Sequence, residues 1–94
     1  MPTIRLPAAL DRRAVPGLAV EISDALAKGG ALKLDGSAVQ QMGQIGLQLL
    51  LSARRTATGR DARLSIEAPS PAILNAARIS GTADLLGVDP DHAA

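Results

Sequence analysis

The stretch LDGSAVQQMGQIGLQLL at residues 34–50 decides the fold, because its pattern changes from strand to turn and then to helix. The brief apolar run at residues 31–34 is followed by the turn formers at 35–37, which predicts a strand and then a loop. Residues 46–58 are rich in leucine and other strong helix formers, and Gly59 suits the end of a helix. The stretch therefore predicts a strand that passes through a loop into a helix.

The residues before this stretch predict another strand and another helix. Residues 3–6 can form an opening strand, and a turn is expected at Asp11. A helix is predicted over about residues 14–28, where apolar side chains recur at three- and four-residue spacing: Val15, Leu18, Ile22 and Leu26. Pro16 suits the first turn of this helix, and the two glycines at 29–30 end it.

The residues after the stretch repeat the same order. Residues 63–67 alternate polar and apolar side chains, as does a strand with one buried face. Ser70 is placed to cap a third helix that has a proline in its first position and ends at residues 80–81. Thr82 is a candidate cap for a final short helical turn, and residues 89–94 are expected to form a flexible tail.

The alternation of strands and helices predicts the fold class. Strand, helix, strand, helix, strand, helix favours right-handed crossovers between parallel strands. We therefore expect an α/β fold in which a small, mixed or mostly parallel sheet of about four strands is covered by helices. A chain of 94 residues is long enough for one core and too short for two, so residues 1–88 are expected to form a single domain.

The composition of the chain excludes several classes of function. There is no Phe, Tyr or Trp on which bases could stack, and the formal net charge is only +1, so no nucleic-acid partner is expected. The absence of cysteine excludes thiolate metal sites and thiol catalysis, and it fits a cytoplasmic location. The first residues lack the order of a signal peptide, and the apolar run at 47–53 is too short to span a bilayer. Direct membrane insertion is therefore not expected.

The central stretch resembles the signature of bacterial STAS domains, the family of anti-sigma factor antagonists. In that family, a strand ending in Leu-Asp-x-Ser leads through apolar residues to Asp-Ser-Ser/Thr-Gly-Leu at the start of a helix. The strand end at 34–37, the apolar residues Val39 and Met42, and the pair at 46–47 match this pattern. The segments around Asp11 and Ser70 agree as well, so the resemblance covers nearly the whole chain and implies the STAS fold.

The chain departs from the family pattern at two places. Family members commonly carry an additional strand that forms a hairpin with the first strand of this chain, so a smaller sheet is expected. The hydroxyl residue that a partner kinase phosphorylates in the family corresponds to Ile45, preceded here by Gly43 and Gln44. Because isoleucine has no hydroxyl group, the resemblance implies that phosphorylation at this position cannot regulate the protein.

The resemblance also implies a partner-binding surface at the loop and helix start around Ile45. The residues expected to form it are Asp11, Gly43, Gln44, Ile45, Gly46 and Leu47. A structural role for Ile45 is a hydrophobic staple, in which Gly46 is the N-cap of the helix and Ile45 packs on Leu50. The two roles are compatible if one edge of the Ile45 side chain remains exposed.

The function expected from the resemblance is that of a non-catalytic signalling adaptor that is constitutive or regulated differently from its family. The expected partner is an anti-sigma factor of the histidine-kinase-like ATPase type or a chemotaxis kinase. The alternative, from a different class, is a cytoplasmic accessory subunit that binds the ATPase of an ABC-type lipid transporter. Small STAS proteins hold both kinds of role.

Neither a metal site nor a nucleotide site is expected. His92 and the aspartates beside it lie in the tail, where a metal would find too few positioned ligands. The glycine-containing residues 43–46 could offer backbone N–H groups to an anion, but they lack the Lys-Ser/Thr ending and the spacing of a phosphate-binding P-loop. No cofactor is expected.

No catalytic residue is expected either. Asp11, Asp35 and Ser37 could be imagined as acid, base and nucleophile, but no histidine accompanies them in the folded part of the chain. Asp and Ser are also common turn residues. The arginine pairs at 12–13 and 54–55 are expected to be solvated surface, although they could contact an acidic partner.

Overall fold

The computed structural model describes residues 3–88 of the chain. The elements in chain order are β1 (Thr3–Arg5), β2 (Ala9–Leu10), α1 (Val15–Ala27), β3 (Ala31–Asp35), β4 (Gln41–Met42), α2 (Gln44–Gly59), β5 (Arg63–Glu67), α3 (Pro71–Ser80) and α4 (Ala83–Leu86). Every strand and helix predicted from the sequence is present. The tail expected at residues 89–94 lies outside the described residues.

The strands form two parallel sheets. The larger sheet has the order β1-β3-β5, and its register aligns Ile4, Leu34 and Ile66, all three of which are buried. The smaller sheet pairs β2 with β4 through Leu10 opposite Met42. The predicted α/β class is thus confirmed, with the strands divided three and two. Among residues 3–88, β1 pairs with β3 and has no hairpin partner.

The hydrophobic core lies on one face of the larger sheet. Successive side chains of a strand point to opposite faces, so Leu32 and Leu34 of β3 enter the core while Lys33 between them does not. Helix α1 buries the apolar stripe predicted from its spacing, and α2 buries Leu50 together with small residues of the same face. The core is therefore built from aliphatic side chains alone, as the composition requires.

Helix α3 begins and ends where the sequence predicts. The backbone N–H of Ile73 donates a 3.3 Å hydrogen bond to the Ser70 hydroxyl oxygen, and Pro71 occupies the first position. At the other end Gly81 has φ 73°, a left-handed conformation that glycine adopts without steric cost. These local signals position α3 without help from the rest of the fold.

The two short strands are not predictable from the sequence, because two residues each show no alternation of polar and apolar side chains. From the sequence, the segment before Asp11 is expected to form a turn and the segment before Gly43 a loop. Pairing of β2 with β4 brings these two segments side by side and delivers the chain to the start of α2. No helix within residues 3–88 has the length and apolar character needed to cross a membrane.

Candidate partner-binding surface at the start of helix α2

Helix α2 begins earlier than the sequence predicted. Its N-cap is Gly43, with φ −82° and ψ 177°, and its first helical residue is Gln44. The backbone N–H of Leu47 donates a 3.1 Å hydrogen bond to the Gly43 carbonyl oxygen, which closes the first turn. The assignment of Gly46 as N-cap was wrong. Ile45 consequently lies inside the first turn rather than before the cap, so the predicted staple between Ile45 and Leu50 is wrong as well.

Gly46 is required by close packing rather than by capping. It is buried, and a Cβ atom added there would lie 2.7 Å from the Leu10 Cβ atom and 2.8 Å from the Leu10 carbonyl oxygen. The Leu10 carbonyl oxygen also accepts a 3.4 Å hydrogen bond from the Gly43 N–H. Strand β2 and Gly46 are far apart in the sequence, so no pattern within either segment predicts this contact. It fixes the start of α2 against the smaller sheet.

The side chains at the helix start are exposed and uncharged. Gly43 and Gln44 are exposed, and Ile45 is 39% exposed, whereas Leu47 is half-buried. No charged residue occurs in the sequence between Asp35 and Arg54. The surface at the start of α2 is therefore neutral, with an isoleucine at its centre and amide side chains around it.

The backbone at the helix start carries a positive partial charge that no side chain offsets. Within residues 3–88, no side chain caps α2 and no acidic residue lies in its first turn. The first N–H groups of a helix have no intrahelical acceptor, and together with the helix dipole they favour a negative group. A carboxylate or phosphoryl group at position 45 would be stabilised there, but the isoleucine side chain provides neither.

Asp11 lies beside this surface and already has backbone partners. It directly follows Leu10, which contacts Gly46. The Asp11 carboxylate oxygen accepts hydrogen bonds from the N–H groups of Arg13 at 3.0 Å and Ala14 at 3.2 Å. These bonds hold the turn that leads into α1. Asp11 is thus a structural residue of the turn whose exposed position also borders the start of α2.

Asp35 and Ser37 are joined in a turn by a backbone hydrogen bond. The Ser37 backbone N–H donates a 2.9 Å hydrogen bond to the Asp35 carboxylate. This bond to Ser37 is the main cause that lowers the pKa of Asp35, and the Arg5 guanidinium, 3.9 Å away, lowers it further. A carboxylate held in its charged form by backbone amides is a poor general base, because its proton affinity is reduced.

A cluster of metal-ligating side chains is not formed by the described residues. Residues 3–88 contain no group of three or more His, Asp or Glu side chains close enough to bind a metal ion. His92, the one histidine of the sequence, lies outside that range together with the two aspartates near it.

Arg54 differs from the solvated cation that the sequence suggested. It is half-buried, and its Nη1 donates hydrogen bonds to the carbonyl oxygens of Leu64 at 3.2 Å and Leu86 at 3.4 Å. Arg54 therefore joins α2 to the edge of β5 and to the end of α4. Arg12, Arg13 and Arg55 are exposed, as expected.

Taken together, the fold and this surface define a small parallel α/β domain with an exposed, neutral helix start at the carboxyl end of its sheet. Comparison with known proteins gives the family. The family model described as "Mlab, STAS domain" matches residues 1–87, and the chain therefore belongs to the STAS domain family. The resemblance stated from the sequence is confirmed.

A solved structure supports the same fold. The chain is similar to the anti-sigma factor antagonist SpoIIAA in its unphosphorylated form, with 26% sequence identity and a TM-score of 0.74. The similarity covers 88% of this chain and 74% of the SpoIIAA chain. A search of curated proteins found no match.

Proposed function

We propose that this chain is a non-catalytic signalling adaptor that binds a regulatory protein through the start of α2 and is not switched by phosphorylation at that point. The proposed binding residues are Asp11, Gly43, Gln44, Ile45 and Leu47, while the buried Gly46 of the same segment holds the helix start against β2. The observation that carries the proposal is the half-exposed Ile45 side chain in the first turn of α2, within a segment that has no charged residue. An exposed apolar residue with small and amide neighbours suits the core of a protein–protein interface.

Residue 45 is the reason for proposing constitutive binding. A phosphoryl group would add roughly −1.5 to −2 charges at the site and would be favoured by the helix start, so it could change the surface from neutral to anionic. Ile45 cannot be phosphorylated, so position 45 stays uncharged at all times. This corresponds to the unphosphorylated state, the state in which the similar SpoIIAA structure was determined.

The proposed partner is an anti-sigma factor of the histidine-kinase-like ATPase type or a chemotaxis kinase. Membership of the STAS family and the likeness to SpoIIAA, an anti-sigma factor antagonist, support a regulatory protein as partner. The backbone hydrogen bond to the Asp35 carboxylate supports a role without catalysis, because it lowers the pKa of this group and makes it a poor general base.

The first experiment identifies the partner. The full chain carrying an affinity tag is used to capture proteins from its source cells, in parallel with the Ile45→Asp and Ile79→Asp variants. Ile79 is 77% exposed on α3, so its variant makes the same chemical change away from the proposed surface. An ATPase of the histidine-kinase-like type, lost with Ile45→Asp and retained with Ile79→Asp, is the expected result.

The second experiment measures affinity for that ATPase by titration calorimetry. Ile45→Asp is expected to weaken binding by at least about tenfold, because it puts a charge into a neutral interface, and Ile79→Asp is expected to leave the affinity unchanged. Circular dichroism checks that both variants are folded. Equal affinities for wild type and Ile45→Asp would remove the start of α2 from the interface.

The third experiment tests regulation. The chain is incubated with the captured ATPase and labelled ATP, and phosphorylated residues are mapped by mass spectrometry. No label is expected. Stoichiometric label on Ser37 or another hydroxyl residue would contradict the constitutive part of the proposal and show that the modified position had moved.

The second candidate function is a cytoplasmic accessory subunit that binds the ATPase of an ABC-type lipid transporter. The specific observation in its favour is the matching family model, whose description names Mlab rather than an anti-sigma factor antagonist. The capture experiment separates the two candidates. Recovery of a transport ATPase would reject the signalling adaptor and support the accessory subunit.

A further inference from the structure

A second surface lies at the other end of α2, on the side that faces α4. We name it the α2–α4 groove, a depression of about 530 Å³ lined by Leu51, Arg54, Arg55, Thr58, Gly59 and Leu85. The α2 residues in this set are spaced by three and four positions, so they share one face of the helix. Leu85 on α4 is 63% exposed, so the groove offers an apolar side chain for contact.

The α2–α4 groove is cationic as well as apolar. Among the described residues that line it, two are arginines and none is acidic. Arg54 is held in place by the carbonyl oxygens of Leu64 and Leu86, whereas Arg55 is exposed and has no ion pair or hydrogen bond among residues 3–88. A complementary surface needs an apolar residue beside one or two carboxylates.

Helix α1 presents such a surface. Val20 is 62% exposed, and Glu21 and Asp24 are exposed on the same side of the helix. Val20 and Asp24 are four residues apart and therefore neighbours on the helix surface, with the small exposed residues Gly17 and Ala27 in line with them. We name this set of five residues the α1 face. It allows close approach because its centre carries no long side chain.

The α1 face cannot reach the α2–α4 groove of its own chain. Helix α2 packs on α1 through a different side, where Leu49, Ala53 and Thr56 lie close to Ile22 and Leu26. On a helix with 3.6 residues per turn, this side is nearly opposite to the side that carries Leu51, Arg55 and Thr58. The two complementary surfaces therefore point away from each other within one chain.

We propose that a second copy of this chain docks its α1 face into the α2–α4 groove. Val20 of one copy contacts Leu85 of the other, and Glu21 and Asp24 lie against Arg55 and the exposed edge of Arg54. The two carboxylates of the α1 face are complementary to the two arginines of the groove, with the exposed Lys28 at the C-terminal margin of that face. Because the groove and the α1 face are different patches, a pair of copies keeps one free groove and one free α1 face unless the assembly closes, so successive copies can add.

This association is expected to be weak. One helix face buries less area than a standard protein interface of about 1,600 Å², which is typical of weak and transient contacts. Ile45 lies ten residues before Arg55 on α2, about 15 Å along the helix axis. Self-association therefore leaves the start of α2 available, and it stands or falls independently of the proposed partner.

Sedimentation velocity of the full chain tests the proposal. The weight-average sedimentation coefficient is expected to rise between about 5 and about 500 μM protein, and to rise less at about 0.5 M salt, because the contact includes ion pairs. Arg55→Glu and Asp24→Arg are each expected to weaken association by at least about tenfold. Arg63→Glu, at an exposed position of β5 on the face of the sheet away from the core, is the charge-matched control and should behave as wild type.

Rescue provides the decisive measurement. A mixture of Arg55→Glu chains with Asp24→Arg chains is expected to associate although neither does alone, because an intact groove and an intact α1 face are then present on different chains. The double variant Arg55→Glu/Asp24→Arg should also recover association through the exchanged charges. A wild-type chain that stays monomeric over the whole concentration range would overturn the proposal, as would variants that associate like wild type or a mixture that fails to associate.

Discussion

The two ends of α2 differ in what holds them in place. At its start, the backbone of Leu10 lies against Gly43 and Gly46, and no side chain within residues 3–88 caps the helix. Near its end, the Arg54 side chain joins the helix to the carbonyl oxygens of β5 and α4. The start is fixed by backbone packing, which leaves its side chains free. The end is fixed by one long side chain.

This difference indicates where the protein tolerates change. At the start, the exposed side chains at positions 44 and 45 can vary without loss of fold stability, whereas any Cβ atom at position 46 meets the backbone of β2. Near the end, the exposed Arg55 can be replaced without loss of fold stability, whereas its neighbour Arg54 cannot. At each end of α2, a residue that can be replaced without loss of fold stability thus lies next to one that cannot. Matched substitutions at these neighbouring positions test the comparison.

The largest effect is expected from Gly46→Ala. Alanine is favoured over glycine inside a helix by about 1 kcal/mol, so this change would stabilise an unconstrained helix. Here the new methyl group would lie within 3 Å of the Leu10 carbonyl oxygen, and relieving that overlap requires β2 to move. We expect the free energy of unfolding to fall by about 2 kcal/mol in urea titrations followed by circular dichroism.

Gly17→Ala is the control for this prediction. Gly17 lies in the first turn of α1, and a Cβ atom there has no neighbour within 4 Å. This variant is expected to be more stable than wild type by about 0.5 kcal/mol, through helix propensity alone. If the two glycine variants changed stability in the same direction, the close packing of α2 on β2 would be refuted.

An intermediate effect is expected from Arg54→Met. Methionine retains most of the apolar length of the arginine side chain but donates no hydrogen bond, so the carbonyl oxygens of Leu64 and Leu86 lose their partner. A hydrogen bond from a charged donor contributes about 1.5 kcal/mol, and we expect a loss of this size in the free energy of unfolding. Arg55→Met, at the exposed neighbouring position, should change stability by less than about 0.5 kcal/mol. Similar losses for both variants would show that Arg54 does not join the three elements.

The parts of the fold that could be predicted from the sequence are those with local causes. The apolar spacing of α1 and the alternation of β5 repeat over many residues, and Ser70 with its following proline marks the start of α3. Each of these signals is contained in the segment it describes. The order of such segments was sufficient to predict a parallel α/β fold and the STAS resemblance.

The parts that could not be predicted have causes elsewhere in the chain. From the sequence, Gly46 was expected to be an N-cap because glycine is common at helix ends. In the structure, glycine is needed at this position because Leu10 of β2 packs against it. From the sequence, Arg54 was expected to be a surface cation. Its hydrogen-bond acceptors belong to β5 and to the end of α4, so the residues around Arg54 in the sequence do not reveal them. The partner-binding role of the candidate surface stays a prediction, and the reasons that its residues occupy their positions required the tertiary structure.

The smallest effect is expected at position 45, where Ile45→Asp is compared with Ile45→Asn. Both variants lose the same apolar contacts and have nearly the same shape, so their difference reports only the charge at the start of α2. The unpaired N–H groups and the helix dipole should stabilise the carboxylate, making the Asp variant more stable at pH 7 by about 0.5 kcal/mol. The dipole lowers the pKa of that carboxyl group in the folded state. The extra stability of the Asp variant is therefore present above the ordinary carboxyl pKa of about 3.9 and disappears as the pH falls through the lowered pKa.

Urea titrations of the two variants at pH 7 and near pH 2.5 measure this difference in stability. A persistent gap at low pH would mean that contacts other than the charge distinguish them, and no gap at pH 7 would mean that the start of α2 exerts no field on position 45.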